Sequence, residues 1–412
     1  MIYKFYSHGI PLDHLRYGPL GFYLDGFANL LSGQGYATHA GRQKIRLVAD
    51  LSAWFGNRRL GINDLDEEQI GEYLKRRKKQ LLLHRGDRRT LAQLLHHLRQ
   101  VGVVSSSCEV FNGNPVNRIT RDYAHFLDQQ RGLSQVTIDN YRPIAQRFLE
   151  TRFAGGKVCL NKLCVSDITD FIVRDSATFC PRRVQLTTTV LRSFLGFLVH
   201  EGKITANLAA SVPTVANWRL TELPQFLEPK QVDKLLSSCS QNSRSGRRDY
   251  AVLLLLARLG LRAGEVVQLS LENINWVAGE VLIRGKSARE DRLPLLPEVG
   301  RALADYLKRD RPACACRRVF IRMKAPRQGF FGSSAVCCIL RRALARAHLY
   351  PPHKGAHLLR RSLATTMLRH GASLTQIGEV LRHQLAQTTE IYAKVDVAAL
   401  RALAQPWPGG VR

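Results

Sequence analysis

The sequence has 412 residues, 45% hydrophobic and 23% charged, which excludes a wholly disordered chain and is too long for one small core, so several domains are expected. Lysine and arginine total 61 against 33 acids, a net charge of +28 that must sit on the surface and attract polyanions. Nucleic acid is the leading partner on that ground, with an anionic membrane surface or a merely basic protein as the alternatives.

No run of 18 apolar residues free of charge occurs; "YAVLLLLARLGL" at 250–261 is short and interrupted by Arg258, so no transmembrane helix is expected. The N-terminal stretch lacks the apolar core and cleavage site of a secretory signal, and nine irregularly spaced cysteines fit reduced thiols rather than a disulfide framework. A cytoplasmic protein is expected.

In chain order, residues 27–51 and 123–150 share a grammar: an apolar helix, a glycine, a hydroxyl residue able to cap, then a second amphipathic helix. "DLDEEQIGEYLKRR" at 64–77 is echoed by "LCVSDITDFIVRD" at 163–175, each with a cap before an Ile and an aromatic. "LHHLRQVGVV" at 95–104 is echoed by "FLGFLVHEGKI" at 194–204, each closing on a glycine suited to a helix C-terminus. Four helical segments in the same order, two of them in the first pair of stretches, predict two related helical domains rather than a chance likeness of amphipathic helices. Turn-rich stretches at 105–117 and 211–231 separate three segments. The basic clusters "KRRKKQ" at 75–80 and "HRGDRRT" at 84–90 read as a solvated helix face or, given the net charge, as phosphate contacts. From 228 the pattern changes to helices opening at "EPKQVDKLLSS", "RRDYAVLLLLARLGL" and "RAGEVVQLSLENI". Strands are predicted at 276–285 and 291–297 with a polar turn "KSARE" between them, then helices at 298–311, 333–349, 358–370, 373–382 and 386–392.

The third segment carries the chemistry-bearing residues. "LGLRAGEV" offers Arg262 with Glu265 three residues on, and "IRGKSARE" puts Lys286 at the hairpin tip. "HLLRRSLAT" places His357 and Arg360 on one helical face, and "LRHQLAQTTEIY" supplies His383 and Tyr392. Taken singly, an aromatic on an amphipathic helix is more often core than nucleophile, and an arginine or turn lysine is more often ordinary surface.

Taken together, these residues resemble the tyrosine recombinase, or phage integrase, family over residues 225–405. That family is marked by an arginine after Gly-Leu, a hairpin lysine, a His-x-x-Arg, a second His and a tyrosine nine residues later, and all six positions are filled here in order. The sequence departs from the family pattern at "GKSARE", where Gly-Lys-Gly is usual, at Arg361, where many relatives carry a histidine, and at Arg382, where a glycine often precedes the second histidine. The resemblance implies a mainly α fold with a small β-sheet: two helical SAM-like domains of the core-binding type followed by a mixed α+β catalytic domain. Residues 115–210 look like the core-binding domain, 1–104 like an extra copy of it, 225–405 like the catalytic domain, and 406–412 like a tail. It also implies double-stranded DNA as partner, a homo-tetramer on two DNA sites with or without other recombinases, no membrane and no cofactor.

The chemistry of the residues agrees. A phenolate at Tyr392 can take over a phosphodiester while storing the bond energy for religation. Arg262 and Arg360 supply planar donors that stay protonated for charge gathering on the phosphate oxygens. Lys286 on a mobile hairpin suits protonation of the departing 5′-oxygen; His357 and His383 suit proton handling or a hydrogen bond to the phosphate, and Glu265 suits orienting Arg262 or a histidine. "HKGAH" sets His353 and His357 four apart, but prolines precede it and no zinc-protease glutamate accompanies it, so no metal is expected. The expected activity is site-specific integration or recombination for a mobile element, through a 3′-phosphotyrosyl link. The alternatives are a catalytically silent DNA-binding partner and a relaxing enzyme of the type IB topoisomerase kind.

Overall fold

The computed structural model describes residues 2–6, 12–80, 82–105, 114–154, 156–216, 223–285, 290–395 and 401. The chain divides into two compact units, Met1–Ser106 with Glu222–Arg412, and Ser107–Thr221.

The first part of the discontinuous unit holds α1 (Leu24–Gly33), α2 (Thr38–Asn57), α3 (Glu67–Lys79) and α4 (Asp87–Gln100) around a core that includes Phe27, Phe55, Tyr73 and Leu94. Asp66 caps α3 by accepting from the Gln69 N–H at 2.7 Å, and four basic residues in its last turn meet the negative end of the helix dipole. One of them is no solvated charge. Arg77 is 12% exposed and held by Asp50 at 2.6 Å and Asp87 at 3.4 Å.

The second unit holds α5 (Pro115–Gln129), α6 (Gln135–Arg152), α7 (Val165–Thr178) and α8 (Pro181–His200). Tyr123, Phe148, Phe194 and Phe197 are fully buried in it, and Arg147 and Thr187 both donate to buried Asp175 at 2.7 Å. The echo read from the sequence has structural counterparts. Gly35 and Gly132, between the first two helices of each set, have φ +75° and +58°; Gly102 and Gly202, after the fourth, have +75° and +63°. Ile70 with Tyr73 and Ile168 with Phe171 are buried at the same i, i+3 spacing.

The remainder of the discontinuous unit is α9 (Pro229–Ser237), α10 (Arg244–Arg258), α11 (Ala263–Gln268), β1 (Ile274–Asn275), β2 (Glu280–Arg284), β3 (Glu290–Pro294), α12 (Pro297–Arg309), α13 (Ser333–Arg346), α14 (His357–Arg369) and α15 (Leu374–Val380). Residues 251–256 of α10 are all buried, as expected for a helix covered on every side, and α12, α13 and α14 pack on it. The sheet is antiparallel in the order β1-β2-β3, with Val281 opposite Leu293 and Ile283 opposite Asp291. Mainly helical with a small sheet is therefore correct.

Two local expectations need correction. The strand predicted at 276–285 starts only at Glu280, because the Asn275 side chain accepts from the N–H groups of Val277 (3.2 Å) and Ala278 (3.0 Å) and folds 276–279 into a turn back onto β1. The helix predicted at 386–392 is two 3₁₀ turns, Ala386–Thr388 and Glu390–Val395. Among the described residues no helix is long and apolar enough to cross a membrane, and every cysteine is unpaired.

Candidate active site

The Gly-Leu-Arg stretch works through its backbone. Gly260 leaves α10 with φ +59°, which side chains rarely adopt, and a Cβ there would lie 2.7 Å from Leu381 Cδ2, so glycine favours the close approach of the turn after α15 to the end of α10. Two residues on, Arg262 caps α11: its N–H donates to Glu265 Oε2 and its Nη1 to Oε1, both at 2.8 Å. The Arg-x-x-Glu spacing thus supplies the acid half of a capping box, and the same acid aims the guanidinium.

Arg360, on the first turn of α14, is buried, and its Nη1 and Nη2 donate to the carbonyls of Gly260 and Leu381. One side chain therefore ties the end of α10 to the end of α15, with three of its five N–H groups uncommitted to these carbonyls. Burial, then Arg262 and Arg382, push its pKa down to about 10, so it stays protonated at neutral pH.

Arg382 is legible in the sequence only as a departure from the family pattern, and it has a definite place. It takes φ +54°, a conformation usual for glycine, and its buried Nη2 donates to Glu265 Oε2 at 2.8 Å. Its carbonyl accepts from Arg262 Nη2 at 3.4 Å. Glu265 thus sits between two guanidiniums, and despite the burial that opposes ionisation, Arg382 and Arg262 hold its pKa below the usual carboxylate range. Glu265→Gln keeps the shape and removes the only carboxylate of this trio. It is expected to cost about 3 kcal/mol of stability, as when one partner of a buried ion pair is lost; a denaturation midpoint equal to wild type would show that the trio is not coupled.

His383 follows directly. Its Nδ1 lies 2.7 Å from Thr389 Oγ1, and its ring is nearly parallel to that of Tyr392, 6.4 Å between centroids. Burial foremost, then Arg360, Arg262, Arg382 and His357, push its pKa down to about 4, leaving it neutral at physiological pH. The unfolded chain takes up this proton near 6.5 and the folded chain only near 4, so His383 stabilises the fold above 6.5 and loses that contribution as pH falls through about 4. Urea titrations across this window should show a smaller stability decline for His383→Asn than for wild type; parallel curves would contradict the assignment.

Tyr392 is buried in the second 3₁₀ turn, its N–H bonded to the Thr389 carbonyl at 3.0 Å. Burial raises the phenol's pKa, while Arg360 and Arg361 pull it down without overcoming burial. His357 is exposed at the start of α14, close enough to act on His383. The structure thus brings together Arg262, Glu265, His357, Arg360, His383 and Tyr392, and adds Arg382 and Thr389. Lys286 lies outside the described residues, as do 396–400 and everything after Arg401, the 406–412 tail included.

The cluster has three guanidiniums and one carboxylate, an excess of positive charge suited to an oxyanion. Comparison with known proteins agrees with that chemistry. Residues 225–398 match the phage integrase family. A Sinorhizobium fredii protein described as an integrase/recombinase, y4rA, is 45% identical over 95% of this chain and 95% of its own length. The tyrosine recombinase XerD of Listeria monocytogenes is 31% identical over 69% of this chain and 97% of its own length. The fold is shared with the XerH site-specific recombinase bound to a palindromic difH substrate in a post-cleavage complex, with a TM-score of 0.54 and 18% identity over 81% of this chain and 93% of that one. On its fold, its motif residues and these similarities, the chain belongs to the phage integrase family of tyrosine recombinases.

Proposed function

We propose that this protein is a site-specific integrase or recombinase of a mobile element that cleaves and rejoins duplex DNA through a 3′-phosphotyrosyl intermediate without a metal ion. The observation that carries the reading is the buried Tyr392 beside His383, whose charged surroundings are dominated by Arg262, Arg360 and Arg382. Tyr392 attacks the scissile phosphate; its phenolic oxygen forms the new P–O bond as the bond to the 5′-oxygen breaks, and the 5′-hydroxyl leaves. Arg262 and Arg360 bind the non-bridging oxygens, where a metal ion would otherwise supply positive charge. Bound phosphate adds an anion that offsets the arginines' share of the lowered His383 pKa, while burial still lowers it, and His383 hydrogen-bonds the phosphate. His357 takes the phenolic proton or holds the phosphate, Lys286 protonates the 5′-oxygen, and Glu265 orients Arg262.

In this reading residues 225–405 form the catalytic domain, 115–210 the core-binding domain, and 1–104 an extra copy of it, with 406–412 as a tail. The matched helices and left-handed glycines of the two helical sets support the repeat. Four protomers act on two DNA sites, as the family resemblance implies, in the cytoplasm. A silent DNA-binding partner would bind without an adduct; a relaxing enzyme would act on supercoiled DNA without a site.

The test is strand exchange between two duplexes carrying the native element's ends, run with chelator in excess. Recombinant strands in chelator are the expected result; products that require added Mg²⁺ would remove metal independence, and relaxation without exchange would favour the topoisomerase reading. Lys286→Ala is expected to slow cleavage about 10²–10⁴-fold, the range for a missing general acid. A 5′-thiolate leaving group, which needs no proton, should restore most of that rate, and an undiminished defect would assign the acid elsewhere.

A further inference from the structure

A second cationic cluster lies away from the tyrosine, where the first helical set meets the catalytic part within the discontinuous unit. A small loop is closed by the Ile321–Gly329 bridge and by the Arg322 N–H donating to the Gln328 carbonyl at 2.9 Å. The loop is fastened to the helical set by the Arg327 N–H, which donates to the Gln34 carbonyl at 2.8 Å. Gly35 leaves room for it: a Cβ there would lie 2.5 Å from Arg327 Cδ. Gln93 braces the same corner with a 2.5 Å bond to the Gln34 side chain.

Cations converge on this seam. The guanidiniums of Arg89, from α4, and Arg322, from the loop, lie 5.5 Å and 5.2 Å from the centroid of one ring, that of Phe331, which is 71% exposed. Lys44, from α2, sits 4.8 Å from the Tyr36 ring and donates to Thr90 Oγ1 at 2.6 Å. Among the described residues no carboxylate pairs with Lys44, Arg89 or Arg322; nearby Asp87 is engaged by Arg77 and by the His84 N–H. Arg322 Nη1 is buried without a hydrogen-bond partner. Burial and Arg89 hold both Arg322 and Lys44 below their usual pKa. Like charges gathered and partly desolvated repel one another until an anion joins them.

We infer that this seam is a binding site for the phosphodiester backbone of duplex DNA, a grip separate from the scissile phosphate that joins the first helical set and the catalytic part on one DNA. The inference rests on the recombinase reading only in taking DNA as the ligand. The open position of Arg89 and Phe331 suits a continuous backbone rather than an enclosed small anion, and the exposed neighbours Arg85 and Arg88 extend the positive face.

The test is equilibrium binding of the full chain to a duplex of the element's end as a function of salt. Arg89→Ala/Arg322→Ala should make the slope of log affinity against log salt shallower by about 1.8, at about 0.9 for each phosphate no longer neutralised. Arg89→Lys/Arg322→Lys should keep most of the slope. Arg89 is exposed, so Arg89→Ala alone is expected to fold and to make the slope shallower by about 0.9. An unchanged slope in alanine variants that melt like wild type would overturn the proposal and leave the recombinase reading standing. Wild type that does not bind DNA would overturn both. Inorganic phosphate that raises the melting temperature of wild type but not of the double alanine variant, with an unchanged DNA slope, would assign the site to a free anion and overturn the DNA assignment.

Discussion

Tyr392→Phe is expected to abolish covalent attachment to DNA while leaving DNA affinity within about twofold of wild type, because affinity for duplex is set by many phosphate contacts and the substitution removes none of them. The variant keeps the ring that lies parallel to His383 and loses one hydroxyl, so its stability should change little. The ring's burial gives this prediction its force. A packed aromatic and a nucleophile are both consistent with a side chain 4% exposed, and only the loss of chemistry without loss of fold separates them. Cleavage by the Phe variant at the wild-type rate would end the assignment.

Arg360→Lys is the second large effect. Arg360 spans two main-chain carbonyls, those of Gly260 and Leu381, and keeps N–H groups uncommitted to them that, in the proposed reaction, meet a phosphate oxygen. An ammonium is a point donor and cannot bridge both carbonyls while reaching a third acceptor. The substitution is expected to lower the cleavage rate about 10²–10³-fold, the range for removing one donor to a transition-state oxyanion. It should also lower stability, since a buried carbonyl left without its partner costs about 1–3 kcal/mol. Rate and stability are separable here: a loss of stability with wild-type cleavage would make Arg360 a structural tie only.

How much of this can be read in the sequence depends on how local each feature is. Gly260, Arg262 and Glu265 form one turn and cap, so their spacing carries the geometry. His357 and Arg360 lie on one helical face for the same reason. Arg382 defeats such reading: its partner Glu265 is 117 positions away, and the direction of its side chain follows from a left-handed backbone that no pattern of apolar residues encodes. Thr389 is similar. It is visible as half of a Thr-Thr pair, but its hydroxyl's place against His383 depends on the chain turning between them. The 3₁₀ turns that carry Tyr392 read as an α-helix in the sequence because a few apolar residues at short spacing fit either form. The union of the first helical set with the catalytic part rests on bonds such as Arg327 to Gln34, far apart in the chain and invisible to composition.

The most direct measurement is to incubate the wild-type protein with duplex DNA carrying a site that it binds, denature it, digest the protein, and identify by mass spectrometry the peptide that carries nucleotide. Assignment of Tyr392 as the nucleophile predicts a nucleotide joined through a 3′-phosphate to Tyr392, within the peptide that includes Glu390–Val395. Nucleotide on any other residue, or tight DNA binding without an adduct under conditions where strand exchange proceeds, would contradict it.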